Sequence, residues 1–392
     1  MRPGADSRSA RIPGRGRARG GRDPAVHLAS PASDRGRTGA HPVAGLDTRR
    51  TMTLSHVQTV LGPVDPSELG HTQFHEHLLL DASHGAAIPP EDDPITLWNY
   101  YRLRREHPPA NTRLLDRDVA VTELALYSAS GGRTIVDATS RGLGRDPEGL
   151  HEIAERSGLN VIMGSGYYTH SFHPPGMEDR DLGELTDETV RDLQEGVAGT
   201  GIRAGLIGEV GLFSPMHPGE LLALRSAARA QSLTDVALLI HPGHSPEAPY
   251  DALRIIESEG GALDRTVMGH IDRTLFSAEA ILRLAATGCY LELDLFGQEM
   301  SHYPFTAVEH PVYQPNDATR VDYILALAEH GHLDQVIVST DIYTKTSLRS
   351  YGGEGYAYLL ESVVPLMHEK GLTAEQVHTI TVVNPRRALT GA

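Results

Sequence analysis

Eight short apolar segments alternate with amphipathic stretches along this chain, and that rhythm admits very few folds. The strand-like segments are 70–75, 133–139, 160–167, 204–209, 237–241, 266–270, 290–295 and 335–341. Between them lie helical patterns such as "DVAVTELALYSASGG", "GELLALRSAARAQSL", "EAILRLAATG" and "VDYILALAEHG", several of which close on the Gly that commonly ends a helix. Strand–helix alternation builds a parallel sheet. Eight strands in a chain of 392 residues fit an α/β fold, a closed (β/α)8 TIM barrel with its active site at the C-terminal ends of the strands. An open doubly wound sheet would want GxGxxG after an early strand, and "GLGRDPEG" at 142–149 lacks that order.

Polar residues recur at the C-terminal ends of these segments. They are His75 and His77, Asp137, Glu209, His241, His270 with Asp272, Asp294 and Asp341. In "FHEHL" the two histidines are alternate residues, so a strand points both the same way. Taken singly, each has a bland explanation: a hydrogen-bonded histidine, an aspartate capping the next helix, a glutamate paired with an arginine. Recurrence at strand after strand argues otherwise, because a barrel brings all these ends to one mouth. Crowded imidazoles and carboxylates repel and are desolvated unless a cation joins them. Nitrogen and oxygen ligands without thiolate suit Zn, Mn, Fe, Co or Ni. Four histidines, Glu209 and several aspartates exceed one closed tetrahedral site. Two metals sharing a carboxylate fit the count better and imply metal-assisted hydrolysis.

Charge excludes other classes. Of the chain's 35 Lys+Arg, 11 lie in residues 1–51, against only 4 of its 51 Asp+Glu, so the remainder is strongly acidic and a poor nucleic-acid binder. Residues 1–51 are rich in Arg, Gly and Pro and are expected to be a disordered extension without a signal-peptide core. Ordered patterning begins at "MTLSHVQTVLGPV", so Met52 is the expected native start and 52–392 the expected single barrel domain. No apolar run approaches the ~18 residues of a membrane span. The one cysteine, Cys289, allows no internal disulfide, and a cytoplasmic location is the simplest reading.

The stretches "VQTVLGPVDPSELGHTQFHEHLLLD", "IGEVG", "IHPG", "GHIDRT", "GCYLELDLFG", "STDI" and "VVNPRRAL" resemble the phosphotriesterase family of the amidohydrolase superfamily, and most closely its phosphotriesterase-related branch. The resemblance implies two divalent metal ions, Zn with Mn or Co as alternatives. His75, His77 and Asp341 would hold the more buried ion, and His241 and His270 the more exposed one. Glu209 and a hydroxide would bridge them, the hydroxide serving as nucleophile. Asp341 would take its proton, and Asp272 would relay it. Arg273, Tyr168, Asp294 and Lys345 are the expected substrate-binding residues. Tyr167 is a possible pocket wall, and Arg273 is also expected to orient Asp294. A small-molecule substrate and a homodimer are implied as well. Many members of the family bridge the metals with a carboxylated lysine. Here the only lysines are Lys345 and Lys370, so Glu209 takes that place.

The expected function is therefore a binuclear metal-dependent hydrolase of a carboxyl ester, lactone or N-acyl amide, with weak phosphotriesterase activity at most. A phosphotriester hydrolase and a non-catalytic ligand-binding barrel are the alternatives. The segment 297–317 after the seventh strand is expected to shape specificity. The loop "YTKTSLRSYGGEGY" after the eighth is expected to be a mobile lid or pocket wall.

Overall fold

A computed structural model describes residues 54–300 and 313–391. The expectations for residues 1–51 and for Met52 lie outside the described residues, as does most of the segment after the seventh strand.

All eight expected strands are present. They are β1 (His71–Glu76), β2 (Gly132–Asp137), β3 (Asn160–Ser165), β4 (Leu206–Gly211), β5 (Leu238–His241), β6 (Thr266–Met268), β7 (Tyr290–Leu293) and β8 (Val336–Val338). They pair in parallel and in sequence order from β1 to β8. Among the described residues, one helix of eight residues or more fills each crossover: α1 (Arg117–Ala129), α2 (Pro147–Ser157), α3 (Leu182–Gln194), α4 (Pro218–Thr234), α5 (Ala248–Ser258), α6 (Ala278–Ala285) and α7 (Asp317–Glu329). These helices pack against the outward-facing residues of the strands. A short hairpin, Val57–Thr59 with Gly62–Val64, precedes β1.

Local chemistry sets the helix boundaries. Asp116, Asp146, Asp181, Ser277 and Asn316 each accept a backbone N–H of the first turn that has no partner within the helix. Pro147 sits where its missing N–H costs nothing, and Gly158 ends α2 in the left-handed region. Strand alternation divides the core into two layers. Phe74, Val136, Ile162, Leu206, Leu239, Val267 and Ile337 fill the barrel interior. Their neighbours Ile135, Val161, Ile207, Leu238, Met268, Leu291 and Val338 pack outward against the helices. Both faces are buried, which is why these strands read as continuous apolar runs.

Five strands end earlier than their sequence suggests, and at two of them the reason is in the backbone. β6 stops at Met268 and β8 at Val338, short of His270 and Asp341. His270 (φ 52°) and Asp341 (φ 46°) adopt left-handed backbone conformations that no strand tolerates. Those turns carry both side chains into the mouth of the barrel.

The loop after β8 is not a free lid. Glu123 on α1 accepts the backbone N–H groups of Arg349 (3.1 Å) and Ser350 (2.7 Å). The amide of Lys345 donates to Asn111 O (2.8 Å), and the Tyr100 hydroxyl donates to Thr346 O (3.0 Å). Among the described residues no helix is long and apolar enough to cross a membrane.

Candidate metal centre

Glu209, at the end of β4 and 2 % exposed, is the centre of the mouth. His75 Nε2 lies 3.3 Å from its Oε2 and His77 Nε2 lies 3.4 Å from its Oε1. His241 Nδ1 is 2.8 Å from Oε2 and His270 Nε2 is 3.8 Å away. Asp341 Oδ1 closes the far side, 3.3 Å from His77 Nε2 and 3.9 Å from His75 Nε2. All six residues expected to ligate therefore meet in one place, and the alternation that predicted a shared face for His75 and His77 holds.

The opposite ring nitrogens are anchored. Asp294 faces His75 Nδ1 at 3.1 Å and His270 Nδ1 at 2.9 Å, and it also accepts the His270 amide. Thr139 Oγ1 is 2.9 Å from His77 Nδ1. Such outer contacts fix the ring orientation and tautomer of metal-binding histidines. His75 Nε2, fully buried and turned inward, has no hydrogen-bond partner among the described residues. His270 Nε2 and His241 Nδ1 approach to 2.8 Å with their ring planes at 85°. An orphaned imidazole nitrogen, two converging ones and a carboxylate facing four rings make a donor set that divalent cations of the zinc type fit.

The electrostatics agree. Burial alone would push His75 and His270 down. Instead Glu209 and Asp294 hold His75 well above the usual imidazole value, and Asp294 lifts His270 to about 9. Burial and the charge of His270 press His241 down to about 3. Against the desolvation of its burial, His75 holds Glu209 well below the usual carboxylate range. The cluster thus demands positive charge, which protons on imidazoles or metal ions can supply.

A cavity of about 440 Å³ opens onto this cluster. Tyr168, Phe172, Phe213 and Tyr343 supply aromatic wall, while His84, His107 and His244 add polar edges. Among the described residues, Arg273 is the only arginine or lysine that lines it. The Arg273 side chain is 3 % exposed, with Nη2 3.0 Å from His241 Nε2 and 3.3 Å from Pro242 O. Nη1 is buried with no hydrogen-bond partner among the described residues. The Tyr168 hydroxyl lies 3.4 Å from His241 Nδ1.

Five expectations need correction. Asp272 does not face Asp341: its Oδ2 accepts from Arg320 Nε at 2.6 Å and from the Leu295 amide at 3.3 Å, inside the barrel wall. The left-handed turn at His270 starts a short helix, Ile271–Thr274, which sends Asp272 toward α7 and Arg273 into the cavity. Asp294 lies beneath the histidines instead of lining the cavity, and the contacts of Arg273 run to His241, not to Asp294. Lys345 lines a separate small hollow with Leu114, Val119 and Tyr351. Tyr167 is buried in the core layer, its hydroxyl donating to Glu188 (2.8 Å).

Two buried carboxyls beside the cluster were given no role by the sequence. Glu292, pushed up to about 8 by burial, lies 3.4 Å from His75 Nδ1. Strand alternation places it on the face of Asp294, a signal present in "YLELD". Glu76 lies within the "FHEHL" motif itself.

Comparison with known proteins agrees with this geometry. Residues 55–389 match the model of the Phosphotriesterase family. A Phosphotriesterase-related protein of Nematostella vectensis is 38% identical over 352 residues, covering 86% of this chain and 99% of that protein. An N-acetyltaurine hydrolase of Tetraodon nigroviridis is 38% identical over 343 residues, covering 85% of this chain and 97% of that protein. Among solved structures, a resiniferatoxin-binding protein from Rhodobacter sphaeroides superposes with a TM-score of 0.80 at 35% identity, covering 87% of this chain and 98% of that one.

Proposed function

The chain belongs to the Phosphotriesterase family, and on that premise we propose that this hydrolase cleaves N-acyl amides whose amine portion carries an acidic group. A small N-acylated amino sulfonic or carboxylic acid is the substrate class, and N-acetyltaurine, the compound in the name of a 38% identical relative, is the first to try. Lactones and carboxyl esters remain within reach of the same centre.

The observation that carries this reading is Arg273. A buried guanidinium beside the cluster, with Nη1 unpartnered, supplies a charge and a donor for an anion. His75, His77 and Asp341 would hold the inner ion, His241 and His270 the outer, with Glu209 between them. Zinc is the ion this donor set favours. Bound there, divalent ions supply a water ionised near neutral pH and Lewis-acid polarisation of the substrate carbonyl. Asp341, at the edge of the cavity and 3.3 Å from His77 Nε2, would hold the proton that such a water gives up. Arg273 fixes the acidic tail and so the register of the scissile bond. Tyr168 and Phe172 shield that bond from bulk water. Glu209 in place of a carboxylated lysine, with its shorter reach, argues for weak phosphotriester turnover. A homodimer and the cytoplasm complete the reading, the latter supported by the single buried cysteine.

The test compares kcat/KM on N-acetyltaurine, a neutral lactone and paraoxon, for wild type and Arg273→Ala. A charge-assisted hydrogen bond contributes roughly 1.5–3 kcal/mol, so the anionic amide should lose about 10- to 100-fold. The lactone should change by less than about threefold. Equal losses on both, or paraoxon turnover rivalling the amide, would contradict the proposal.

A further inference from the structure

The barrel closes between β1 and β8 with no backbone ladder joining those strands among the described residues. Side chains span the seam instead: Ser339 Oγ accepts from the His75 amide (3.0 Å), and Glu76 gathers most of the remaining donors. Glu76, between His75 and His77, is fully buried. Its Oε1 accepts from Thr340 N (2.8 Å), Thr340 Oγ1 (2.7 Å) and Ser339 Oγ (2.7 Å). Its Oε2 accepts from Ile342 N (2.9 Å). The two amides it takes flank Asp341, whose own N–H donates to His75 O (3.1 Å). Asp341 therefore sits in a left-handed conformation, unfavourable for an L-residue, that is pinned on both sides from strand β1.

We propose that Glu76 is a positioning residue that holds the Asp341 carboxylate against His77. It thereby sets the affinity of the inner metal position and the aim of the group that receives the proton. Glu76 acts through Asp341 and has no contact with the cavity. The inference rests on the metal reading above.

The need for a carboxylate follows from the donors. The hydroxyls of Ser339 and Thr340 can turn and accept, but the amides of Thr340 and Ile342 can only donate. A carboxylate meets both amides, one with each oxygen. Glutamine offers a single carbonyl oxygen, so Glu76→Gln preserves the shape and orphans one of the two amides.

Zinc release to a chromophoric chelator from the zinc-loaded full chain, followed alongside kcat and KM, tests this. Wild type should release two ions. In Glu76→Gln the inner ion, at His75, His77 and Asp341, should be held about 10- to 100-fold more weakly, while the ion at His241 and His270 is unaffected. kcat should fall by a similar factor with KM within about threefold, since the defect is in positioning and not in substrate binding. Amide exchange at Thr340 and Ile342 should quicken while β3 and β4 keep their protection. A purely structural role would lower thermal stability and leave both ions and kcat unchanged, and that result overturns the proposal. If Glu76→Gln does not fold, Thr340→Val removes one 2.7 Å donor and should weaken the same ion by about three- to tenfold. No change there overturns it equally. A wild type that holds no zinc defeats the metal reading itself, a different outcome from two ions held identically in wild type and variant.

Discussion

Asp294 shows how one carboxylate can anchor two histidines of the cluster at once. It faces His75 Nδ1 on β1 and His270 Nδ1 after β6 at 3.1 and 2.9 Å. Asp294→Asn should therefore loosen both ions by about 10- to 100-fold, whereas Thr139→Val, behind His77 alone, should loosen only the inner one. Chelator competition on the two variants separates these outcomes, and a one-ion defect in Asp294→Asn would contradict the shared support. The six cluster residues were legible in the sequence because each stands at the end of an apolar run. The roles of Asp294, Asp272 and Lys345 were not, because proximity in sequence does not give side-chain direction where the backbone turns. Asp272 and Arg273 are neighbours, yet the turn at His270 places one in the barrel wall and the other in the cavity. Glu76 and Glu292 were open to recognition by alternation, but an acidic residue in a strand carries no mark that distinguishes a seam from a ligand.

At the scale of elements, all eight strands and the four quoted helices lie where periodicity placed them. Their ends moved where polar side chains had work at the mouth, as at β6 and β8. The wall behind the site rests on a buried ion pair: Arg320 of α7 and Asp272 are both inaccessible, 2.6 Å apart, and Arg320 Nη1 also meets Asp317 at 2.7 Å. Arg320→Met removes the cation that pairs with Asp272 and leaves it only the Leu295 amide, which should cost about 3–5 kcal/mol in urea unfolding. Arg320→Met with Asp272→Leu should recover much of that loss, since a buried pair replaced by apolar side chains is often tolerated. If Asp272 were a proton relay, Asp272→Asn would instead lower kcat without reducing stability. The structure offers no contact from Asp272 to Asp341 among the described residues for such a relay to use.

Across the whole molecule, the barrel gathers residues from 75 to 341 into one cluster while distributing its core between an interior layer and a helix-facing layer. That assembly explains why a chain with one cysteine and an acidic body can support metal chemistry with imidazole and carboxylate alone. Such a cluster is expected to hold a pair of divalent ions around Glu209. Elemental analysis of the purified full chain beside Glu209→Ala, each prepared without chelators, tests this most directly. The account predicts about two metal ions per chain in the wild type and a sharp fall in the variant, because both positions lose a shared ligand. A wild type that takes up no metal even after exposure to Zn or Mn, or a variant that keeps both ions, would contradict it.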